Sequence, residues 1–392
     1  MKKKMKKVFL GTMVALCAMA FAGCGSNSTE DTTDKKENAN EDTGSQETAK
    51  DGLKIAVVTS PSGVDDGNFN QEVYNGVLSF IDENPDATVK TVREESGSPD
   101  AAVQAVADIV ADYDVIVANG YQFAGIGTIA ESNPDKKFIL VDSFPTNAEG
   151  EETVYDNVYA MTFAEQEGGF FAGIAAAMET KTNKVAVVNG IAFPSNVNYQ
   201  YGFEAGVNYA NKHLNTAVEY ISLPSYAGTD VTGANVGGNY VGDFSDEATG
   251  KVVGKALIDQ GVDIMFVAAG ASGNGVFTAV KEADGIKVIG CDVDQYADGA
   301  NGDDNIILTS VLKLMGRNAK LQLSNILDDS FKGENALLST AEDSMGFVSE
   351  EHHQMSDDTV NALTDVLDKM KKGEIVPPSN FSDSTVDNFT GL

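Results

Sequence analysis

Cysteine and histidine are scarce in this sequence, which limits the chemistry that it can support. The 392 residues include three cysteines and three histidines, His213, His352 and His353. No histidine has a cysteine or carboxylate at a metal-binding spacing, and the motifs G-x-S-x-G, H-E-x-x-H and C-x-x-C do not occur. We therefore predict no metal, no cofactor and no enzymatic activity.

Basic residues are few relative to acidic ones. The chain has 27 Lys and Arg against 59 Asp and Glu, which gives a formal net charge of -32. A charge of this sign and size repels nucleic acid and anionic headgroups at long range, and it favours solubility. We therefore predict no nucleic-acid partner.

Long apolar runs are missing after residue 23, so no membrane span is predicted there. Residues 1–23 contain five lysines in MKKKMKK and then the uncharged run VFLGTMVALCAMAFAG, a pattern typical of a secretory signal peptide. The residues FAGC resemble a bacterial lipoprotein box, with Phe21 where leucine is usual, so we expect Cys24 to be lipidated. The alternative is an uncleaved anchor, but the run is shorter than the roughly 20 residues that span a bilayer.

Removal of the signal peptide leaves a chain that can form no internal disulfide. Cys17 leaves with the signal, Cys24 takes the lipid, and Cys291 remains, for which we expect a buried strand position. Residues 24–52 are polar, acidic and almost free of apolar side chains, which predicts a disordered tether. The sequence thus predicts a protein anchored to the extracytoplasmic face of the cell membrane.

From Leu53 onward, short apolar β-rich runs alternate with segments of helical periodicity. LKIAVVT, ATVKTV, DVIVANG and KFILVDS form one strand series, and NKVAVVNG, AVEYISL, DIMFVAAG and IKVIGCD form a second. This α/β pattern predicts two doubly wound parallel sheets joined by a hinge that can close around a ligand. We assign 53–160 and 300–345 to an N-lobe, and 161–299 and 346–380 to a C-lobe.

Ligands of open parallel sheets bind beyond the carboxyl ends of the strands, so the residues that follow each strand are site candidates. The loop SPSGVDDGNFNQ supplies Phe69 as a candidate stacking aromatic, with the polar groups of Asp66 and Asn70 beside it. The alternative is that Asn68 or Asn70 caps the next helix and Phe69 packs on it. Tyr121, after the third strand, is either a second aromatic at the ligand edge or part of its own helix.

Two strands end in aspartate at matched positions of the two series. Asp142 ends KFILVDS, and Asp292 and Asp294 end VIGCDVD. An ionised Asp only accepts hydrogen bonds, so these side chains would select N–H or O–H donors; helix capping or loop solvation is the alternative. Lys313 in TSVLK could bind ligand hydroxyls, pair with Asp292 or lie on the surface. Gly270 lies in a tight turn that lets backbone N–H groups approach a ligand.

The longer motifs of the chain resemble those of one known family. They are VDDGNFNQEVYNG, KFILVDS, FAEQEGGFFAGIAAA, VAVVNG…GFEAGV, GDFSDEATGK, VAAGASGNGV, VIGCDVDQ and SVLK. Together, over nearly all of residues 53–380, they are similar to the basic membrane protein family, the nucleoside-binding lipoproteins of the purine nucleoside receptor A type. The resemblance implies a type I-like periplasmic-binding-protein fold, a nucleoside bound between two lobes, and the permease of an ABC importer as partner.

The resemblance also implies roles for individual residues. Phe69 matches the aromatic that contacts the base, with Asp66 and Asn70 beside it. Asp142 matches a strand-end aspartate that reaches the base.

Two further matches concern the ribose, whose hydroxyls would be bound by Asp292 and Lys313. A second stacking aromatic is expected from the other lobe, with Phe193, Tyr199 and Phe244 as candidates and Phe193 as the best placed. The chain departs from the family in the stretch SYAGTDVTGANVGGNY, which is longer than usual, and at Asn189, where the family often has glycine.

We expect a monomer that binds a nucleoside and delivers it to the importer. One alternative is a protein of the same fold that binds a sugar or a signalling molecule. Another is a surface adhesin or antigen lipoprotein. A third is an enzyme such as a nucleosidase, for which the sequence offers a poor set of catalytic residues.

Overall fold

The computed structural model describes residues 52–380, and it contains two parallel sheets. The first sheet has the strand order β15-β5-β4-β3-β1-β2. Its strands run parallel, and the central ones are apolar and buried on both faces, as expected for a sheet covered by helices. They are β1 (Lys54–Thr59), β2 (Thr88–Arg93), β3 (Val115–Asn119), β4 (Lys137–Val141), β5 (Val158–Phe163) and β15 (Glu334–Leu338).

The second sheet has the order β16-β14-β11-β10-β6-β7, with β16 antiparallel to β14 and the other pairs parallel. Its strands are β6 (Lys184–Asn189), β7 (Glu219–Tyr220), β10 (Ile264–Ala268), β11 (Lys287–Gly290), β14 (Ile307–Lys313) and β16 (Met345–Phe347). Two short antiparallel pairs lie outside both sheets: β8 (Gly228–Thr229) with β9 (Asn235–Gly237), and β12 (Ala300–Asn301) with β13 (Asp304–Asn305).

Helices connect the strands and cover the sheets. The helices are α1 (Phe69–Glu83), α2 (Pro99–Ile109), α3 (Gly127–Ser132), α4 (Glu165–Glu179), α5 (Pro194–His213), α6 (Glu247–Asp259), α7 (Ser272–Lys281), α8 (Met315–Leu327) and α9 (Asp357–Lys371). α2 begins with Ser98 as its N-cap and proline at the first helical position. Within residues 52–380 we find no helix with the length and apolarity that crossing a bilayer requires.

Three chain crossings join the lobes and form the hinge. The first crossing follows β5, since the next helix, α4, packs on α5 and β14 of the second lobe. The second crossing follows β14, since the next helix, α8, packs on α1 and β4 of the first lobe. The third joins β15 to β16. Backbone hydrogen bonds tie the crossings together, from the Ala164 amide to the Leu338 carbonyl (2.8 Å) and from the Leu314 amide to the Ser344 carbonyl (3.0 Å).

Some sequence-based expectations were wrong in detail. We assigned residues 300–345 to the N-lobe, but β14 pairs with β11 and belongs to the second sheet; the chain crosses back only after Lys313. β5 and β15 were not predicted, and AVEYISL forms only the two-residue β7. β15 lies at a sheet edge and is partly exposed, so its sequence ENALL lacks the apolar pattern of a buried strand. The predicted signal peptide, Cys24 and the tether up to residue 51 lie outside the described residues.

The contact between α1 and α8 depends on two facing glycines. A Cβ on Gly76 would lie 2.1 Å from the carbonyl oxygen of Gly316. Because the obstacle is backbone, the helices would have to separate, and we expect Gly76→Ala to lower the free energy of unfolding by about 1–3 kcal/mol. Urea unfolding measures this. Gly346→Ala is the control, because its Cβ would meet no atom within 4 Å; a loss as large as that of Gly76→Ala would contradict the prediction.

Candidate functional site

The carboxyl ends of the two sheets face a shared cavity of about 620 Å³, part of which is open to solvent. Polar and aromatic side chains from both lobes line it, as expected for a ligand site in parallel α/β sheets. The structure brings all of the sequence-predicted ligand residues to this cavity, namely Asp66, Phe69, Asn70, Tyr121, Asp142, Phe193, Gly270, Asp292 and Lys313.

A buried ion cluster lies at the junction of the lobes. Lys313, the last residue of β14, has a side chain that is 1% exposed. Its Nζ lies 2.6 and 2.7 Å from the two carboxylate oxygens of Asp142, and 2.9 Å from Oε1 of Glu165. Asp142 belongs to the first lobe and Lys313 to the second, so this ion pair links them. Of the possibilities considered for Lys313, a surface position is therefore wrong, and its salt bridges go to Asp142 and Glu165.

Burial and charge oppose each other in this cluster. Burial by itself lowers the pKa of Lys313, but the carboxylates of Asp142, Glu165 and Asp292 outweigh it and raise the pKa above its ordinary value. Burial raises the pKa of Glu165 and of Asp292, and the ammonium group only partly offsets that rise. The lysine therefore stays charged at neutral pH, held by acidic groups that are costly to ionise without it.

Asp142 and Asp292 occupy equivalent positions in the two lobes. Each follows a strand, β4 or β11, and each has a left-handed backbone, with φ of 63° and 69°. Asp292 Oδ1 accepts hydrogen bonds from the Tyr199 hydroxyl (3.1 Å) and the Cys291 thiol (3.3 Å). Cys291 is buried, as expected, directly after β11. Asp294 differs: it lies on the surface, where its carboxylate contacts Nδ1 of His352 at 2.6 Å.

The first loop is organised by a carboxylate that faces its own backbone. Asp66 accepts hydrogen bonds from the backbone amides of Asn68 (3.1 Å), Asn70 (3.0 Å) and Gln71 (3.1 Å). Asn68 is the N-cap of α1, so the capping alternative is correct for that residue. Phe69, the first residue of α1, is half-buried at the cavity, with Nζ of Lys313 5.6 Å from its ring centroid. Asp66 therefore positions Phe69 through the loop.

Aromatic side chains from both lobes form another part of the cavity wall. The ring centroids of Tyr121 and Phe193 lie 5.2 Å apart, and those of Phe193 and Phe244 lie 6.0 Å apart. Phe193, Phe244 and Tyr199, the three candidates for a second stacking aromatic, all line the cavity. Gly270 has φ +56°, and a Cβ there would lie 3.1 Å from the Phe244 carbonyl oxygen, so glycine permits the close approach of that loop.

Several residues in or beside the cavity were not predicted from the sequence. Glu165 begins α4 and binds Lys313, but an acidic residue in the first turn of a helix is common and gives no distinct signal. Asn119 ends β3 and lines the cavity with a fully buried side chain. Asn189, where the sequence departs from the family pattern, accepts a hydrogen bond (3.2 Å) from Asn196, which lines the cavity. In residues 52–380 no cluster of three or more His, Cys, Asp or Glu could hold a metal.

Comparison with known proteins assigns the chain to a family. The family model described as "ABC transporter substrate-binding protein PnrA-like" matches residues 53–224 and 232–380. The chain belongs to this family. The predicted family is thus confirmed, and the unmatched residues 225–231 lie within the stretch predicted to be longer than usual. Proteins of this class bind substrates for ABC transporters and act outside the cytoplasm.

Relatives and solved structures agree with this assignment. The chain is 28% identical to the "ABC transporter nucleoside-binding protein BmpA" of Lactococcus lactis, over 95% of this chain and 99% of that protein. It is 30% identical to "Basic membrane protein A" of Borreliella burgdorferi, over 81% and 85%. An ABC solute-binding protein of Aeropyrum pernix has a similar fold, with a TM-score of 0.71, 22% identity and coverage of 86% and 95%. The predicted two-lobed fold class is therefore confirmed.

The ion cluster makes Lys313 a large contributor to stability. We expect Lys313→Met to lower the free energy of unfolding by about 3–5 kcal/mol, because it leaves buried carboxylates without a counter-charge. The loss should be larger at pH 8 than at pH 5, since protonation at low pH relieves the unpaired acids. Urea unfolding at both pH values measures it.

The matched control is Lys320→Met, which removes a surface ion pair with Glu83 (2.7 Å). Such a pair contributes about 0–1 kcal/mol, so this variant should unfold almost as the parent does. Equal losses for the two lysine variants would contradict the account of the cluster.

Glu72, in the first turn of α1, introduces a pH dependence near neutrality. Burial raises its pKa to about 7; a hydrogen bond accepted from the Gly316 backbone partly reduces this rise, and the Asp292 charge adds to it. A carboxyl whose pKa is raised on folding makes the protein less stable as the pH rises from the pKa of the unfolded state to that of the folded state. Between pH 5 and pH 8, the free energy of unfolding of the parent should therefore fall by about 1–3 kcal/mol relative to that of Glu72→Gln. Urea unfolding at the two pH values measures this difference.

Glu83→Gln serves as the control, because Glu83 lies exposed at the other end of α1. Its free energy of unfolding should differ from that of the parent by no more than about 0–1 kcal/mol, the contribution of a surface ion pair. If the pH profile of Glu72→Gln runs parallel to that of the parent, Glu72 does not titrate in this range and the prediction is wrong.

Proposed function

We propose that this protein is the lipid-anchored receptor of an ABC importer for a nucleoside, with purine nucleosides as the preferred ligands. The observation that carries the proposal is the shared cavity, where aromatic side chains of both lobes lie beside strand-end carboxylates and one buried lysine. The name of the Lactococcus lactis relative supports the same ligand class. The cavity thiol, Cys291, donates to Asp292, and burial raises its pKa well above the ordinary value, which disfavours a nucleophilic thiolate and supports binding rather than catalysis.

The base would stack between aromatic rings. Phe69, positioned by the capped start of α1, supplies one face, and Phe193, from the loop before α5, supplies the other. Tyr121 and Phe244 flank Phe193 and restrict its ring. Stacking on an aromatic side chain contributes about 1–3 kcal/mol per base, and every base offers a π-face.

The polar groups would fix the ends of the ligand. Asp142 accepts N–H groups of the base, while Asp292 accepts and Lys313 donates hydrogen bonds at the ribose hydroxyls. Asp292 and Lys313 are already adjacent, because the Lys313 amide donates to the Asp292 carbonyl (3.0 Å). The salt bridge from Lys313 to Asp142 then couples ligand binding to closure of the lobes.

The cavity favours a neutral nucleoside over an anionic nucleotide. Asp66, Asp142 and Asp292 line it, and its cation, Lys313, is already paired with two carboxylates. A phosphate group would therefore meet an excess of negative charge in a partly desolvated site. We further propose that Cys24 carries the lipid and that the protein acts as a monomer that presents its loaded, closed form to the permease.

Calorimetric titration of the purified protein tests the ligand class. We expect saturable heat with adenosine, inosine or guanosine, a weaker response with cytidine and with adenosine monophosphate, and none with free ribose or glucose. The absence of heat with every nucleoside would contradict the proposal. If a sugar then gave saturable heat, the protein would be a sugar-binding protein instead.

Phe69→Ala tests the stacking role. The variant should bind its nucleoside about 10- to 100-fold more weakly, from the loss of one stacking face. Phe331→Ala is the matched control: this half-buried aromatic contacts Lys137 at the start of β4, at the end of the sheet opposite the cavity. Similar affinities for Phe69→Ala and Phe331→Ala would contradict stacking on Phe69.

A further inference from the structure

One cavity side chain has hydrogen-bonding groups that the protein leaves unused. Asn119 is 0% exposed, and neither its Oδ1 nor its Nδ2 has a hydrogen-bond partner among the described residues. Buried polar groups are paired in the great majority of cases, and an unpaired one is costly. A carboxamide with both ends unpaired at a cavity wall therefore requires a functional explanation.

The position of Asn119 places it in the middle of the sheet edge. It ends β3, which lies between β1 and β4. Its register partner on β4 is Val141, so Asp142 follows directly beside it, and Ser60 follows the end of β1 on the other side. Ser60, Asn119 and Asp142 all line the cavity. Asn119 is thus next to the carboxylate assigned to the base.

A second asparagine supplies a fixed acceptor in the same wall. Nδ2 of Asn70 donates to Asp66 Oδ2 (2.8 Å) and to Ser60 Oγ (3.1 Å). Because an ionised carboxylate only accepts, the Asn70 amide cannot reverse, and its buried, unpaired Oδ1 remains available as an acceptor. Asn119 has no such constraint, so its donor and acceptor can exchange places.

We propose that Asn119 is a specificity-determining residue that pairs in a bidentate manner with the edge of the bound base. A carboxamide presents a donor and an acceptor side by side, and asparagine forms such a pair with a base edge that carries one amino donor and one ring-nitrogen acceptor. This inference rests on the proposed nucleoside-binding function and adds which chemical groups of the base are recognised.

The free rotation of the Asn119 amide determines the ligand range. A 6-aminopurine offers an exocyclic donor beside a ring acceptor, and a 6-oxopurine offers an exocyclic acceptor beside a ring N–H donor. Asn119 can satisfy either by reversing its amide; in a 6-oxopurine the single ring N–H is shared between Asn119 Oδ1 and the neighbouring Asp142 carboxylate. A purine riboside without an exocyclic group offers a single acceptor, so it can form only half of the pair. The site therefore accepts adenosine and inosine and disfavours the unsubstituted purine riboside.

Asn119→Leu tests the inference, with adenosine, inosine and purine riboside as calorimetric ligands. The parent should bind the two substituted nucleosides about 10- to 100-fold more tightly than purine riboside, as one bidentate pair would provide. In the variant this difference should fall by about 10-fold or more, because only the preference that arises from the N–H group accepted by Asp142 remains. The unliganded variant should be as stable as the parent or more so, since the substitution removes two unpaired buried groups.

Asn157→Leu is the matched control. Asn157 is also buried, but its Nδ2 donates to the carbonyls of Ala130 (3.0 Å), Asn133 (3.0 Å) and Lys136 (3.1 Å), near the start of β5 and away from the cavity. This variant should lose stability and retain the parent's preference among the three ligands.

The outcomes separate this inference from the proposed function. If the parent binds no nucleoside, the proposed function itself fails. If the parent binds and Asn119→Leu weakens all three ligands equally, or none, then Asn119 pairs with trapped water or only shapes the wall, and the base-edge inference is overturned. A large loss of stability in unliganded Asn119→Leu would likewise assign the residue a structural role.

Discussion

The buried ion pair between Lys313 and Asp142 is the interaction on which the arrangement of the site depends. It joins the end of β14 in one sheet to the end of β4 in the other, and Glu165 binds the same ammonium from the start of α4. Lys313 and Glu165 flank two of the three chain crossings, so the cluster lies at the hinge. A charge this deeply buried is tolerated only when its partners are in place, which ties the position of the lobes to the integrity of the cavity.

The rest of the site follows from the sheets. Parallel strands bring their carboxyl ends to one edge, and each lobe contributes an aspartate in the left-handed region, a conformation that Asp adopts at low cost. Helix starts at the same edge add the aromatics, Phe69 at α1 and Phe193 at α5, each held by local capping or by neighbouring rings. The cavity is therefore acidic, aromatic and shared between lobes, which suits a flat, neutral ligand rich in hydrogen-bond donors.

The strands, the helices and most of the strand-end residues of the cavity were predictable from the sequence, because their signals are local. Buried β-branched runs alternate with amphipathic helices, and the rule that ligands bind after parallel strands identified cavity residues that lie far apart in the chain. Contacts between distant segments were not predictable: Glu165 and Lys313 are 148 residues apart, and β14 contains no signal for the sheet that it joins. Asn119 was missed because a polar strand end is ordinary; only its burial and lack of partners distinguish it.

A crystal structure of the protein grown with adenosine tests the central claim most directly. The account predicts density for a flat ring between Phe69 and Phe193, with the ribose beside Asp292 and Lys313 and the lobes closed over both. Adenosine bound outside the cavity, or a closed cavity that holds only water at saturating ligand, would contradict it.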